Sequence, residues 1–147
     1  METKQKIKIL LIDGNEMMRI YFRDIFWIHG CSDRYEIAMA SSLKEAEKIL
    51  MEKKTRPNTI FLDLMMRVKE EEDNSPDGQI KRTLSFIEKI KSNKDLSDIK
   101  IIIHSSHREE SLKEEVYKLG VDGYLIKGEL MPKEIIFFTD KIHELNH

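Results

Sequence analysis

Apolar residues follow two alternating rhythms along this chain. Residues 8–13, the close of K-I-K-I-L-L-I-D, form a short continuous apolar run rich in β-branched side chains. Such a run reads as a strand buried on both faces. Residues 17–28 then place Met17, Tyr21, Ile25 and Ile28 at helical spacing. A second strand is expected at 35–39. Ser42 and Glu45 form a capping box, which opens a helix with Leu43, Ala46, Ile49 and Leu50 inward. Residues 59–64 read as a third strand. Residues 80–92 read as a helix with Leu84, Ile87 and Ile90 inward. A fourth strand spans 99–105. The helix at 111–119 turns Leu112, Val116 and Leu119 inward and has Gly120 at its C-terminal cap. A short fifth strand, G-Y-L-I-K, covers 123–127. Pro132 suits the first turn of a last helix, whose stripe is Ile135, Phe138, Ile142 and Leu145.

The pattern is strand then helix, five times over. It predicts an α/β fold with right-handed crossovers and a parallel sheet covered on both faces. At 147 residues the chain is expected to form one domain, 1–147, with a core that needs no staples. One irregular segment, residues 68–79 (V-K-E-E-E-D-N-S-P-D-G-Q), reads as a charged surface loop after the third strand.

Composition narrows the function without naming it. A formal net charge of -2 lends no support to direct nucleic-acid binding. No apolar run approaches the roughly 18 residues that span a membrane. The polar start, M-E-T-K-Q-K, is not a signal peptide. The lone Cys31 cannot form an internal disulfide, which fits a cytoplasmic location, and it is expected to be chemically idle.

The chemistry sits at the strand ends. In an open α/β sheet, ligands bind beyond the carboxyl ends of the strands. Strand one ends at Asp13, strand three at Asp63, strand four at Ser105 and Ser106, and strand five at Lys127. In T-I-F-L-D-L-M-M-R an apolar strand carries the acid Asp63 outward, and a buried acid needs a partner or a task. Two carboxylates attract a hard cation such as Mg²⁺. A carboxylate is also a nucleophile towards phosphorus, and a lysine or metal stabilises the transferring phosphoryl group. Taken singly, Asp13 also reads as a strand-end acid capping the first helix, and Ser105 as a cap of the next. His104 is expected to pack under a helix and His107 to lie in a loop, neither as a metal ligand. Met65 and Met66 read as packing.

The motifs L-L-I-D-G-N-E-M-M-R, F-L-D-L-M-M, I-I-I-H-S-S and G-V-D-G-Y-L-I-K resemble, in order and spacing, those of response-regulator receiver domains. The resemblance implies a flavodoxin-like (βα)5 sandwich with strand order 2-1-3-4-5. It implies a receiver of a two-component phosphorelay that accepts a phosphoryl group on Asp63 with Mg²⁺ and switches a protein-interaction surface; with no output domain after the last helix, a stand-alone receiver is expected. By motif, Asp13 and Asp63 join the metal site with the Met65 backbone carbonyl, Ser105 is the switch hydroxyl, Lys127 pairs with the phosphoryl group, and Tyr124 is the coupled aromatic. The implied partners are a histidine kinase or histidine phosphotransfer protein upstream and an unknown protein downstream, the receiver itself being a monomer or weak homodimer. It would be no enzyme beyond its own phosphoryl acceptance and loss.

Three positions depart from the family pattern. Gly14 replaces a second acid, which should weaken Mg²⁺ binding, with Glu16 as a candidate substitute. Arg67 opens a longer acidic loop where Pro is usual, and Gly128 replaces the Pro after Lys127. The rival reading is a degenerate pseudo-receiver that works through protein contacts alone. A haloacid-dehalogenase-type phosphatase would need a second acid two residues after Asp13, where Asn15 stands. A flavin-binding flavodoxin-like protein would need a better phosphate cradle than G-N-E-M-M-R.

Overall fold

The computed structural model describes residues 5–68 and 74–144. Its elements alternate as expected: β1 (Ile7–Ile12), α1 (Glu16–Ile28), β2 (Tyr35–Ala40), α2 (Leu43–Met51), β3 (Thr59–Leu62), α3 (Pro76–Ser92), β4 (Lys100–Ser105), α4 (Glu110–Lys118), β5 (Gly123–Ile126) and α5 (Pro132–Ile142). The five strands pair in parallel in the order β2-β1-β3-β4-β5.

Alternation along each strand splits the core in two. Leu10, Ile12, Ile60, Leu62, Ile101 and Ile103 pack with α2, α3 and α4. Ile9, Leu11, Phe61 and Ile102 pack on the other face with α1 and α5. The inner strands are buried on both faces, which is why they read as continuous apolar runs rather than alternating ones.

Helix α1 corrects the predicted phase. Met17, Tyr21 and Ile28 are exposed, and the buried stripe is Phe22, Ile25 and Phe26. Both stripes have helical spacing, so periodicity could not choose between them. Ring packing decides. Phe22 lies 4.7 Å from Phe61 and 5.2 Å from Phe26, and Phe26 meets Tyr35 edge-on at 5.4 Å. Two phenylalanines bury more surface than a methionine and a tyrosine that must keep its hydroxyl solvated.

Helix α3 starts four residues earlier than predicted, so residues 76–79 are helical rather than loop. Ser75 is its N-cap and accepts from the Gly78 N–H, and Pro76 occupies the first turn, where its missing N–H costs nothing. Residues 69–73 of the expected acidic loop, and Leu145 of the last stripe, lie outside the described residues. Asn15, not Asp13, caps α1, accepting from the Met18 N–H. Glu109, not Ser105, occupies the N-cap of α4. Gly120, at φ +100, ends α4 as expected. Gly123 is required by space, because a Cβ there would stand 2.6 Å from the Phe138 ring.

A buried clasp ties β2 to α5. Arg34 donates twice to Asp140, at 3.1 and 2.9 Å, and the Tyr35 hydroxyl donates to the same carboxylate at 2.5 Å.

Candidate functional site

Three predicted residues stand immediately past their strands, yet stay tied to the sheet through their backbones. The Asp13 N–H donates to the Ala40 carbonyl at 3.1 Å, the Asp63 N–H to Ile12 at 3.0 Å and the Lys127 N–H to Ser105 at 2.9 Å. Parallel strands end on one edge, so these bonds carry the register of the sheet into the site.

The side chains converge. Lys127 Nζ lies 2.8 Å from Asp13 Oδ2 as an ion pair and donates to Asp63 Oδ2 at 3.0 Å. Asp13 is 1% exposed and Asp63 9%. The second oxygen of each acid is held locally: Asp13 Oδ1 accepts from the Asn15 N–H, and Asp63 Oδ1 from the Met65 N–H. Arg19, which the sequence reading did not single out, donates to the Asp13 carbonyl at 2.7 Å and so fixes the end of β1 against α1. Only its placement one turn into α1 could have pointed to it.

Electrostatics follows from burial. Desolvation raises the Asp63 pKa; the Lys127 charge and the Met65 N–H oppose that rise, and the Asp13 charge adds to it. At Lys127 burial works against the charge, but the hydrogen bond to Asp13 and the charge of Asp63 outweigh it, so its pKa is raised. The pocket holds a protonated lysine between two carboxylates, one of them made more basic by its surroundings.

Ser105 is fully buried at the end of β4, and its hydroxyl accepts from the His107 N–H at 3.3 Å. The Tyr124 side chain is half-buried, and its hydroxyl donates to the His107 carbonyl at 2.8 Å. Both residues therefore grip the loop that follows β4. Burial pushes the Tyr124 phenol up to about 12, against the influence of the neighbouring Ser105 hydroxyl. Arg108 pairs with Glu129 across the site's outer rim and joins this loop to the one after β5.

The response regulator receiver domain family matches residues 9–136. The chain belongs to the response-regulator receiver family. Solved structures agree in fold. A response regulator from Thermotoga maritima superposes with a TM-score of 0.74 at 16% identity, covering 95% of this chain and 99% of its own. The chemotaxis response regulator CheY4 of Vibrio cholerae gives 0.72 at 17% identity, covering 94% and 99%. The phosphorylated cyanobacterial phytochrome response regulator RcpA gives 0.71 at 20% identity, covering 95% and 93%. No curated protein sequence matches the chain.

Within this receiver domain the structure brings Asp13, Asp63 and Lys127 together and sets Ser105 and Tyr124 on the adjoining loop. Glu16 stands exposed in the first turn of α1. Met65 is held beside Asp63 by its N–H, and Met66 is buried in the core as expected. His104 is buried and its ring lies 6.0 Å from that of Phe22 on α1, as expected of a histidine under a helix. Cys31 is buried, with its thiol pKa raised by burial, consistent with an idle role. Receiver domains generally bind Mg²⁺ at the phosphorylation site. The residues here suit that ion. Two hard carboxylate oxygens, Asp13 Oδ2 and Asp63 Oδ2, both lie within 3.0 Å of Lys127 Nζ and so are close enough to share a cation. Among the described residues no third acid, histidine or cysteine joins them. No helix among the described residues is long and apolar enough to cross a membrane.

Proposed function

We propose that this receiver domain accepts a phosphoryl group on Asp63 and uses it to switch a protein-interaction surface. The observation that carries the reading is Lys127 Nζ, 3.0 Å from Asp63 Oδ2 and 2.8 Å from Asp13 Oδ2. An Asp63 oxygen attacks phosphorus, the bond from phosphorus to the donor breaks, and the donor leaves with the electron pair. Burial makes Asp63 a more basic and hence better nucleophile, and Lys127 is placed to neutralise the incoming phosphoryl oxygens. Asp13, Asp63 and the Met65 carbonyl would hold Mg²⁺, with Glu16 the candidate substitute for the acid that Gly14 replaces; the bound ion would supply further charge neutralisation.

The switch would act through the loop after β4. A phosphoryl oxygen would accept a charge-assisted hydrogen bond from the Ser105 hydroxyl, stronger than the 3.3 Å bond that hydroxyl accepts from the His107 N–H. Drawing Ser105 inward would loosen the loop that Tyr124 also holds, shifting the population between two packings of the α4–β5–α5 face. The phosphoryl source is a histidine kinase or histidine phosphotransfer protein, and the output is an unknown protein partner. We take the receiver to act alone, in the cytoplasm, as a monomer or weak homodimer, with no catalysis beyond its own phosphoryl acceptance and loss.

Incubation with Mg²⁺ and acetyl phosphate tests this. Intact-mass analysis should show one added phosphoryl group on the native chain and none on Asp63→Asn. That no third acid joins Asp13 and Asp63 among the described residues favours a second reading, a pseudo-receiver that binds partners without phosphorylation. No mass gain on the native chain would select it.

A further inference from the structure

Helices α2 and α3 leave a groove between them on the face of the sheet that they share with α4. Two hollows, of about 910 and 580 Å³, share Glu47, Phe86 and Lys89 and so run into one another. The groove changes character along its length. Its upper part, towards the sheet edge that carries Asp63, is lined by Lys44, Arg67, Lys81 and Arg82. Its lower part is lined by Leu50, Met51, Phe86, Ile90 and Leu96. With Lys89, five cations line the upper hollow against two acids, Glu45 and Glu47, in a chain whose formal net charge is -2. Lys44, Arg67, Lys81 and Lys89 are exposed, and none of these four makes an ion pair with a described residue.

The same face of the molecule carries a complement to this groove. On α4, Glu110, Glu114 and Tyr117 fall at i, i+4 and i+7, and all three are exposed. Leu112 and Val116 turn the opposite side of that helix into the core. Neither glutamate makes an ion pair with a described residue. Lys113 is drawn to one side, over the Tyr124 ring at 5.5 Å, and the acidic face ends in a single cation, Lys118. On α2, Lys44 stands seven residues before Met51, which is 72% exposed; on α4, Glu110 stands seven residues before Tyr117, which is 49% exposed. At 1.5 Å per residue both spacings are about 10 Å. Both helices start at the carboxyl edge of a parallel sheet, so each carries its charge near that edge and its apolar residue farther down. The order is the same and the charges are opposite.

We propose that the α2–α3 groove receives α4 of a second copy of this chain, in a two-fold symmetric dimer. Helix α4 stands beyond α3, towards β5. A two-fold axis parallel to the helices and close to α3 therefore lays each copy's α4 over the other's groove. Rotation about such an axis keeps every helix pointing the same way. Glu110 and Glu114 then meet Lys44, Lys81 and Lys89, and Tyr117 meets the apolar lower part beside Met51. The contact is isologous, so the pairing is made twice. This names the face of the weak homodimer proposed above, and it does not rest on phosphoryl acceptance at Asp63.

The test is sedimentation equilibrium of the full chain at concentrations up to about 1 mM, the range of weak association. The native chain should dimerise at about 50 mM salt, and at about 500 mM, where screening is strong, the association should weaken at least about tenfold. Lys81→Glu with Lys89→Glu, and separately Glu110→Lys with Glu114→Lys, should each weaken self-association at least about tenfold, because like charges then face each other at both contacts. Mixed in equal amounts, the two variants should associate with each other to within about threefold of the native affinity, because both contacts regain opposite charges. All four positions are exposed; if a double variant does not fold, Lys81→Glu mixed with Glu114→Lys decides in the same way. A native chain that stays monomeric, its groove left to the chain's own acids at 70–73 or to a different acidic protein, would overturn the proposal. So would a dimer that survives either charge reversal, or a mixture that fails to associate.

Discussion

Lys127 is the cation on which the acidic pocket depends, and Lys127→Met isolates that dependence. The substitution keeps the apolar stem and removes the ammonium from between two buried carboxylates. At separations of 2.8 and 3.0 Å and an effective dielectric near 20, each contact is worth roughly 5–6 kcal/mol before desolvation. Taking the ammonium out of water returns several kcal/mol of that. Breaking a fully buried pair typically costs about 3–5 kcal/mol. The Lys127 side chain is 17% exposed, which places the loss at the lower end, about 3 kcal/mol. For a chain of this size that corresponds to a fall in Tm of about 10 °C at pH 7. The sign with pH is fixed. Asp63 already has a raised folded-state pKa, and removing its cation raises it further. A raised acid contributes stability that is present at low pH and lost as pH rises through the folded pKa. The variant should therefore recover relative to the native chain as pH falls towards the ordinary aspartate range. Thermal denaturation followed by circular dichroism at several pH values measures both quantities. Equal Tm values at pH 7, or a gap that widens on acidification, would refute the reasoning.

Three further perturbations probe other parts of the argument. Gly14→Asp should bind Mg²⁺ at least about tenfold more tightly by calorimetry, since a Cβ there meets open space and a third carboxylate joins the donor set; unchanged affinity would show that Gly14 does not limit the metal. Gly123→Ala forces a methyl to within 2.6 Å of the Phe138 ring, and urea denaturation should show a loss of about 1–3 kcal/mol; a neutral result would mean that α5 gives way easily. His104, held near a pKa of about 4 chiefly by burial, should cost stability as pH falls from the ordinary histidine value to that point, on the order of 3 kcal/mol in all, with Lys127 and Asp13 the charges that act on it; a His104→Leu chain with the same acid limb as the native one would contradict this.

The fold was legible because its signals are redundant. Each inner strand is buried on both faces, so any register of the apolar run reads as strand, and the intervening helices carry caps such as Ser42 and Gly120. Where two signals competed, the pattern was silent. In α1 the expected Met17–Tyr21–Ile25–Ile28 stripe and the buried Phe22–Ile25–Phe26 stripe share Ile25, and the choice rests on Phe61, which lies on a strand rather than in the helix. In α3, the run S-P-D-G-Q holds both loop formers and a cap followed by proline. Only the packing behind it separates the two readings: Gln79 is buried, and its side-chain amide donates to the Asn74 carbonyl.

The site divides along the same line. Asp13, Asp63 and Lys127 were readable because a parallel sheet places all its C-terminal ends on one edge, so strand-end position alone predicts proximity. What the sequence could not show is how the charge is shared. It lists two acids and a lysine. The fold makes Lys127 a bridge between them, gives each acid a backbone N–H, and buries Asp13 more deeply than Asp63. That asymmetry bears on function. Under the proposed function, Asp63, more exposed than Asp13 and made more basic by burial, would be the carboxylate that an incoming phosphorus reaches. Asp13, fully enclosed and braced by Arg19 and Asn15, would on that reading be left to hold a cation. That proposed division of labour between two chemically identical side chains would follow from their places in the sheet.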